Sequence, residues 1–165
     1  MNIFEFEIPS HSTRRELGVY IIVATSKADK KKYFYVGKVG DNREGCNPII
    51  SRIGNHFSHN KIHSQLRNKI SNTTEFNYKV HYSTYGIYNQ LTHSQDIEKI
   101  NEIERRLNII IQTQIIAKTD KFELLNIYKG IGVNKSVKAK REQLLSQEDI
   151  ETLKSLAENA LSEWV

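Results

Sequence analysis

Cysteine is almost missing from this chain: Cys46 stands alone among 165 residues. No intramolecular disulfide can form, and a cysteine-rich zinc site is excluded. Cys46 itself has no base motif beside it and reads as inert rather than nucleophilic. No uninterrupted apolar run approaches the ~20 residues that cross a bilayer. Met1 to Glu7 also lacks a basic segment followed by an apolar one. Neither secretion nor membrane insertion is expected, and a reducing cytoplasm suits the chain. Internal repeats and low-complexity stretches are absent too.

Acidic residues are missing from two long stretches. From Gly45 to Thr74 there is none, while Arg52, Lys61, Arg67 and Lys69 occur with His56, His59 and His63. From Ile127 to Arg141 there is again none, while Lys129, Lys135, Lys138, Lys140 and Arg141 occur. Over the whole chain the net charge is +5, which favours polyanionic partners. These blocks, together with Arg43, are candidate phosphate contacts, although solvated helix and loop surface would carry the same charges. The hydrophobic share of 38% and charged share of 26% are far from those of a disordered chain and predict a folded enzyme or binding module. The length fits one domain over residues 1–165.

The apolar pattern divides the chain into elements. Phe4, Phe6 and Ile8 alternate with polar residues, which predicts an N-terminal strand. Val19 to Thr25 and Lys31 to Val39 are rich in β-branched and aromatic residues and read as a β-hairpin. A turn centred between Lys27 and Ala28 would set Tyr20 opposite Tyr35, both on one face. Asn47-Pro48 starts a helix to about Phe57. A second helix is predicted from about Lys61 to Ile70, because Ile62, Leu66 and Ile70 fall four residues apart. Glu75 to Tyr85 alternates as a third strand. From Asp96, Ile97, Ile100, Ile103, Leu107, Ile110 and Ile111 form the stripe of a central core helix. Lys129 to Lys140, with Gly130 and Gly132, reads as a mobile connection. Ser146 and Asp149 then open a C-terminal helix whose apolar face includes Leu153, Ala157, Leu161 and Trp164.

The hairpin carries Gly18-Val19-Tyr20 on its first strand and Tyr35-Val36-Gly37-Lys38 on its second. Arg52 and His56 follow on a helix, Glu104 on a later helix, and Leu124-Leu125-Asn126 beyond it. This ordered set resembles the GIY-YIG nucleases, whose two half-motifs name the family, and it spans residues 17–127. Residues 128–165, the basic connection and C-terminal helix, lie outside it. Val stands for Ile in both half-motifs, which keeps strand character. The stretch from Glu104 to Asn126 is longer than in compact members.

The resemblance implies a magnesium-dependent endonuclease acting on DNA, more like a restriction-type enzyme than an excision-repair subunit. Phosphodiester hydrolysis needs an activated water, charge neutralisation at phosphorus and stabilisation of the leaving oxygen. Glu104 would anchor one Mg²⁺, with Mn²⁺ as the alternative, since a hard cation takes oxygen ligands and keeps several waters. Glu102 is near enough to compete for that role. On a helical wheel Glu104 borders the apolar stripe and Glu102 points further toward solvent, which favours Glu104. Arg52 would fork onto the reacting phosphate. His56, one helical turn later, would shuttle a proton.

Tyr20 would orient or deprotonate water. A phenol of pKa ~10 must lose about three units to do so as a phenolate, roughly 4 kcal/mol, which Lys38 and the metal would supply together. Tyr35 would order water or a phosphate oxygen, and Asn126 would orient the Tyr20 and metal neighbourhood. The histidines 56, 59 and 63 sit at helical spacing, but with no cysteine and no second ligand cluster a nucleic-acid-facing surface is simpler than a zinc site. The expected fold is α+β: a small, mostly antiparallel sheet of about three core strands covered by helices, with the site on one sheet face and an added C-terminal helix. Cleavage of both strands at a symmetric site would favour a dimer on DNA. The rival readings are a catalytically inactive module of the same descent that only binds nucleic acid, and an interaction protein whose basic faces meet protein partners.

Overall fold

The computed structural model describes residues 2–40, 47–60, 62–70, 72–116, 121–129 and 134–162. They form an α+β arrangement around a four-stranded sheet. In chain order the elements are β1 (Glu16–Ser26), β2 (Lys32–Val39), α1 (Ile49–Phe57), β3 (Phe76–Ile87), α2 (His93–Ile116), β4 (Phe122–Leu124), α3 (Lys135–Glu142) and α4 (Gln147–Leu161). Among the described residues no helix is long and apolar enough to cross a membrane.

The strand order is β3-β1-β2-β4, antiparallel except for the parallel pair β2 and β4. The sheet is therefore mixed and has one strand more than the sequence predicts. With three residues, β4 is too short to show a period. β1 is central, and Val19 to Ala24 are at most 1% exposed on both faces, which is why its sequence runs apolar without alternation. On one face Leu17, Val19, Ile21, Val23, Phe34 and Val36 pack against Ile100, Ile103, Leu107 and Ile111 of α2 and Leu153, Ala157 and Leu161 of α4. On the other, Tyr20, Ile22, Ala24, Tyr35 and Val39 pack against Ile49, Leu66 and Ile70. Each such fully buried aliphatic side chain contributes about 1.5–3 kcal/mol.

Several expectations are corrected. Residues 2–9 are not a strand: no described strand accepts their backbone, and Ile3, Phe4 and Phe6 stand exposed. Alternation alone does not satisfy backbone hydrogen bonds. Residues 62–70 form turns rather than a helix. Ser64 Oγ donates to the carbonyls of Ser58 and Asn60, and the Asn60 carboxamide accepts from the Ile62 amide, local bonds that compete with a helical ladder. Leu66 and Ile70 are buried there, but Ile62 is not. The supposed mobile connection contains α3, whose first turn is capped by the Asn134 side chain accepting from the Ser136 amide. The start of α4 is as predicted: Ser146 and Asp149 complete a reciprocal capping box. Trp164, Gly130 and Gly132 lie outside the described residues.

The hairpin register also differs. Residues 27–31 form the connection, with Lys30 at φ +62°, and the turn centres one residue later than expected, so Tyr20 pairs with Gly37 and Tyr35 with Ile22. A shift of two residues preserves the face, and both phenols still point to the α1 side.

Candidate active site

The site begins at Gly37. A Cβ there would clash with the Tyr20 hydroxyl and ring carbons, so the missing side chain of this glycine leaves the room in which the Tyr20 phenol packs. Tyr20 is fully buried. Its hydroxyl lies 2.6 Å from His56 Nε2. Arg52 also hydrogen-bonds Tyr20. A guanidinium only donates, so in that bond the Tyr20 oxygen accepts; across the Tyr20–His56 contact the donor is set by the His56 tautomer.

Arg52 and His56 lie one turn apart on α1. The His56 ring meets the Tyr35 ring edge-on at 4.8 Å between centroids and the Tyr20 ring at 5.7 Å. Burial, and then the neighbouring Arg52 charge, lower the His56 pKa from 6.5 to about 4. His56 Nδ1 has no hydrogen-bond partner among the described residues, so an imidazolium would find no second acceptor. His56 is therefore neutral at working pH. Burial raises the Tyr20 pKa well above the ordinary phenol value, with Arg52 opposing. Tyr35 is raised by burial as well. The expected depression of the Tyr20 pKa is thus absent. Lys38, assigned to that task from the sequence, is engaged elsewhere: its Nζ donates to Glu104 Oε2 at 3.0 Å.

Glu104 and Lys38 approach from the opposite face. Lys38 alternates with the Val36 side of β2, the face under α2. The site is therefore not confined to one face of the sheet, as expected, but straddles the outer edge of β2. β4 covers only Lys32 to Phe34 of that edge, and past it Gly37 has no side chain to separate the two faces. The Glu104 carboxylate acts electrostatically on both Tyr20 and Tyr35.

Glu102 is the reverse of its wheel prediction: it is 1% exposed and held by a bidentate ion pair to Arg105 on the next turn. Arg105 in turn reaches toward Glu142 and lies over the Tyr128 ring. The wheel places Glu102 outward on an isolated helix; in the fold it is buried together with its partner Arg105, itself 9% exposed. Glu104, with its side chain 30% exposed, is the accessible carboxylate of the two.

Asn126 does not point at Tyr20. Its Oδ1 accepts from the Val36 amide at 3.0 Å and its Nδ2 donates to the Val36 carbonyl at 2.6 Å. The carboxamide continues the β4 ladder one step beyond the strand, after the Leu125 amide has bonded the Phe34 carbonyl. Its carbonyl accepts from Asn108 Nδ2 at 2.7 Å. Asn126 thus fixes β2 between Tyr35 and Gly37 through the backbone.

Among the basic candidates, Lys69, Lys129, Lys135, Lys138, Lys140 and Arg141 are exposed. Arg67 is half-buried, and its guanidinium donates to the Phe57 carbonyl at 3.1 Å, so it braces the segment after α1. Arg43 and Lys61 lie outside the described residues, as does Cys46. His56 faces inward while His59 and His63 are exposed, so the three do not share a face. Among the described residues no group of three or more His, Cys, Asp or Glu converges as a metal cage. Compared with protein-family models, characterised proteins and solved structures, the chain has no match.

Proposed function

We propose that the chain is a metal-dependent endonuclease that hydrolyses phosphodiester bonds in DNA by a GIY-YIG-like mechanism. The observation that supports it is convergence: Tyr20, Tyr35, Arg52, His56 and Glu104, from four separate elements, meet at one edge of β2. A purely structural tyrosine needs only packing and one partner. Here a buried phenol carries a neutral imidazole, a guanidinium and a nearby carboxylate.

The donor set fits one hard cation. Glu104 is a single accessible carboxylate, enough to hold Mg²⁺ or Mn²⁺ that keeps waters and takes phosphate oxygens, without a protein cage. When bound, the cation would neutralise phosphate charge and stabilise the leaving oxygen. Lys38 would then leave Glu104 for a phosphate oxygen within the same reach.

The remaining steps belong to the chain's own groups. Arg52 binds phosphate through its fork. The bound anion offsets the Arg52 charge that depresses His56, so His56 becomes more basic when substrate is present. Tyr20 passes its proton to His56 Nε2 as it takes one from the attacking water. No free phenolate is required, in keeping with the raised Tyr20 pKa. This relay replaces the phenolate expected from the sequence.

Plasmid DNA incubated with and without Mg²⁺ tests the reading. Cleavage that needs the metal and is lost in Tyr20→Phe is the expected result. Intact plasmid under both conditions, with salt-sensitive binding retained, would instead support an inactive nucleic-acid-binding module.

A further inference from the structure

A second feature opens from the far side of Glu104. A cavity of about 470 Å³ is lined by Asn101, Glu104, Arg105, Asn108 and Asn126 of the site region, and by Tyr128, Lys129 and Arg141 beyond them. A neighbouring cavity of about 200 Å³ shares Asn101 and Arg141 with it and continues to Lys140 and Leu144. The two form one groove between α2 and α3 that starts at the carboxylate assigned to the metal.

Charge along the groove is uneven. Glu104 is matched by Lys38, and Arg105 by Glu102. Lys129, Lys140 and Arg141 are exposed and form no ion pair with a described carboxylate within 4.0 Å. Glu98 is the acid at the far end. Tyr128 is half-buried in the wall, its amide held by Asn108 Oδ1 at 3.0 Å and its ring under the Arg105 guanidinium. A ring fixed in this way beside a row of cations is the pairing that unpaired nucleic acid uses, bases stacking on aromatics while the backbone follows positive charge. Cavities of about 470 and 200 Å³ have room for single nucleotides and not for the cross-section of a duplex.

We propose that the α2–α3 groove holds one unpaired nucleic-acid strand leading away from the cleavage site. The proposal rests on the nuclease reading for its direction, and it narrows the substrate to DNA with a single-stranded segment beside the scissile bond. Lys129, Lys140 and Arg141 take its phosphates, and Tyr128 takes a base.

The test measures fluorescence anisotropy of a labelled unpaired oligodeoxynucleotide in EDTA, with the matching duplex as competitor. The full chain is compared with the triple variant Lys129→Ala/Lys140→Ala/Arg141→Ala, whose positions are exposed and leave the core untouched. Loss of about tenfold or more in single-strand affinity is expected, with a salt slope flatter by about 2, since each lost phosphate contact removes about 0.7 from it. Tyr128→Ala should weaken binding about fivefold or more while Tyr128→Phe, which keeps the stacking face, binds as wild type. Wild-type affinity and slope in the triple variant, or duplex competing as well as the unpaired strand, would overturn the groove. The two readings fail separately. Variant-sensitive strand binding without Mg²⁺-dependent cleavage sinks the nuclease and keeps the groove, whereas cleavage with strand binding unchanged in the triple variant does the opposite.

Discussion

His56 couples the stability of the fold to pH in a way that can be measured. Its pKa falls from 6.5 to about 4 on folding, through burial first and Arg52 second. Between these values the unfolded chain binds a proton that the folded chain refuses. The contribution is therefore fully present above about pH 6.5 and is lost progressively as pH falls toward about 4, amounting to about 3 kcal/mol in all. His56→Phe removes this titration but leaves the buried Tyr20 hydroxyl without its imidazole partner, at a cost of about 1–3 kcal/mol. Near neutral pH the variant should be the less stable protein. Near pH 4 the wild type has given up its advantage, and the two should converge or change order. Urea unfolding of both proteins across this range gives the difference directly, because the remaining titrating groups are common to both. A wild-type-minus-variant difference that does not change with pH would refute the neutral, buried imidazole and with it the proton relay through Tyr20.

Three further outcomes are expected. Gly37→Ala drives a methyl into the Tyr20 hydroxyl and ring; it should cost about 1–3 kcal/mol in thermal or urea stability and abolish cleavage, and a variant cutting at the wild-type rate would show that the Tyr20 position is not required. Glu104→Gln should abolish metal-dependent cleavage with the fold intact, whereas Glu102→Gln, which breaks a buried ion pair, should lower stability by about 3–5 kcal/mol; equal activity of Glu104→Gln and wild type in Mg²⁺ removes Glu104 as the anchor. Arg52→Lys should lose about two orders of magnitude in single-turnover rate, because a point charge does not reproduce the fork; a changed affinity with an unchanged rate would reduce Arg52 to a positioning contact.

Much of the site was legible in the order of residue types alone. Tyr20, Tyr35 and His56 come together beside β2 with Arg52 and Glu104 in electrostatic range, and alternation was enough to put Tyr20 and Tyr35 on one face even though the hairpin register was off by two. Capping chemistry fixed the start of α4, and the stripe from Ile100 to Ile111 fixed the buried face of α2. These are local signals: a period, a cap, a spacing.

Only the tertiary structure decided what depends on a neighbour distant in sequence. Phe4 and Phe6 alternate like a strand, but a strand exists only where another backbone accepts its hydrogen bonds. Glu102 faces out on an isolated wheel, yet in the fold it is buried and paired with Arg105. Asn126 is one carboxamide among many until β4 places it on the backbone of Val36. The pKa values of Tyr20 and His56 could not be read from residue type, since their shifts come chiefly from burial. A sequence names the groups that titrate, while the packing around each sets the cost of its charge.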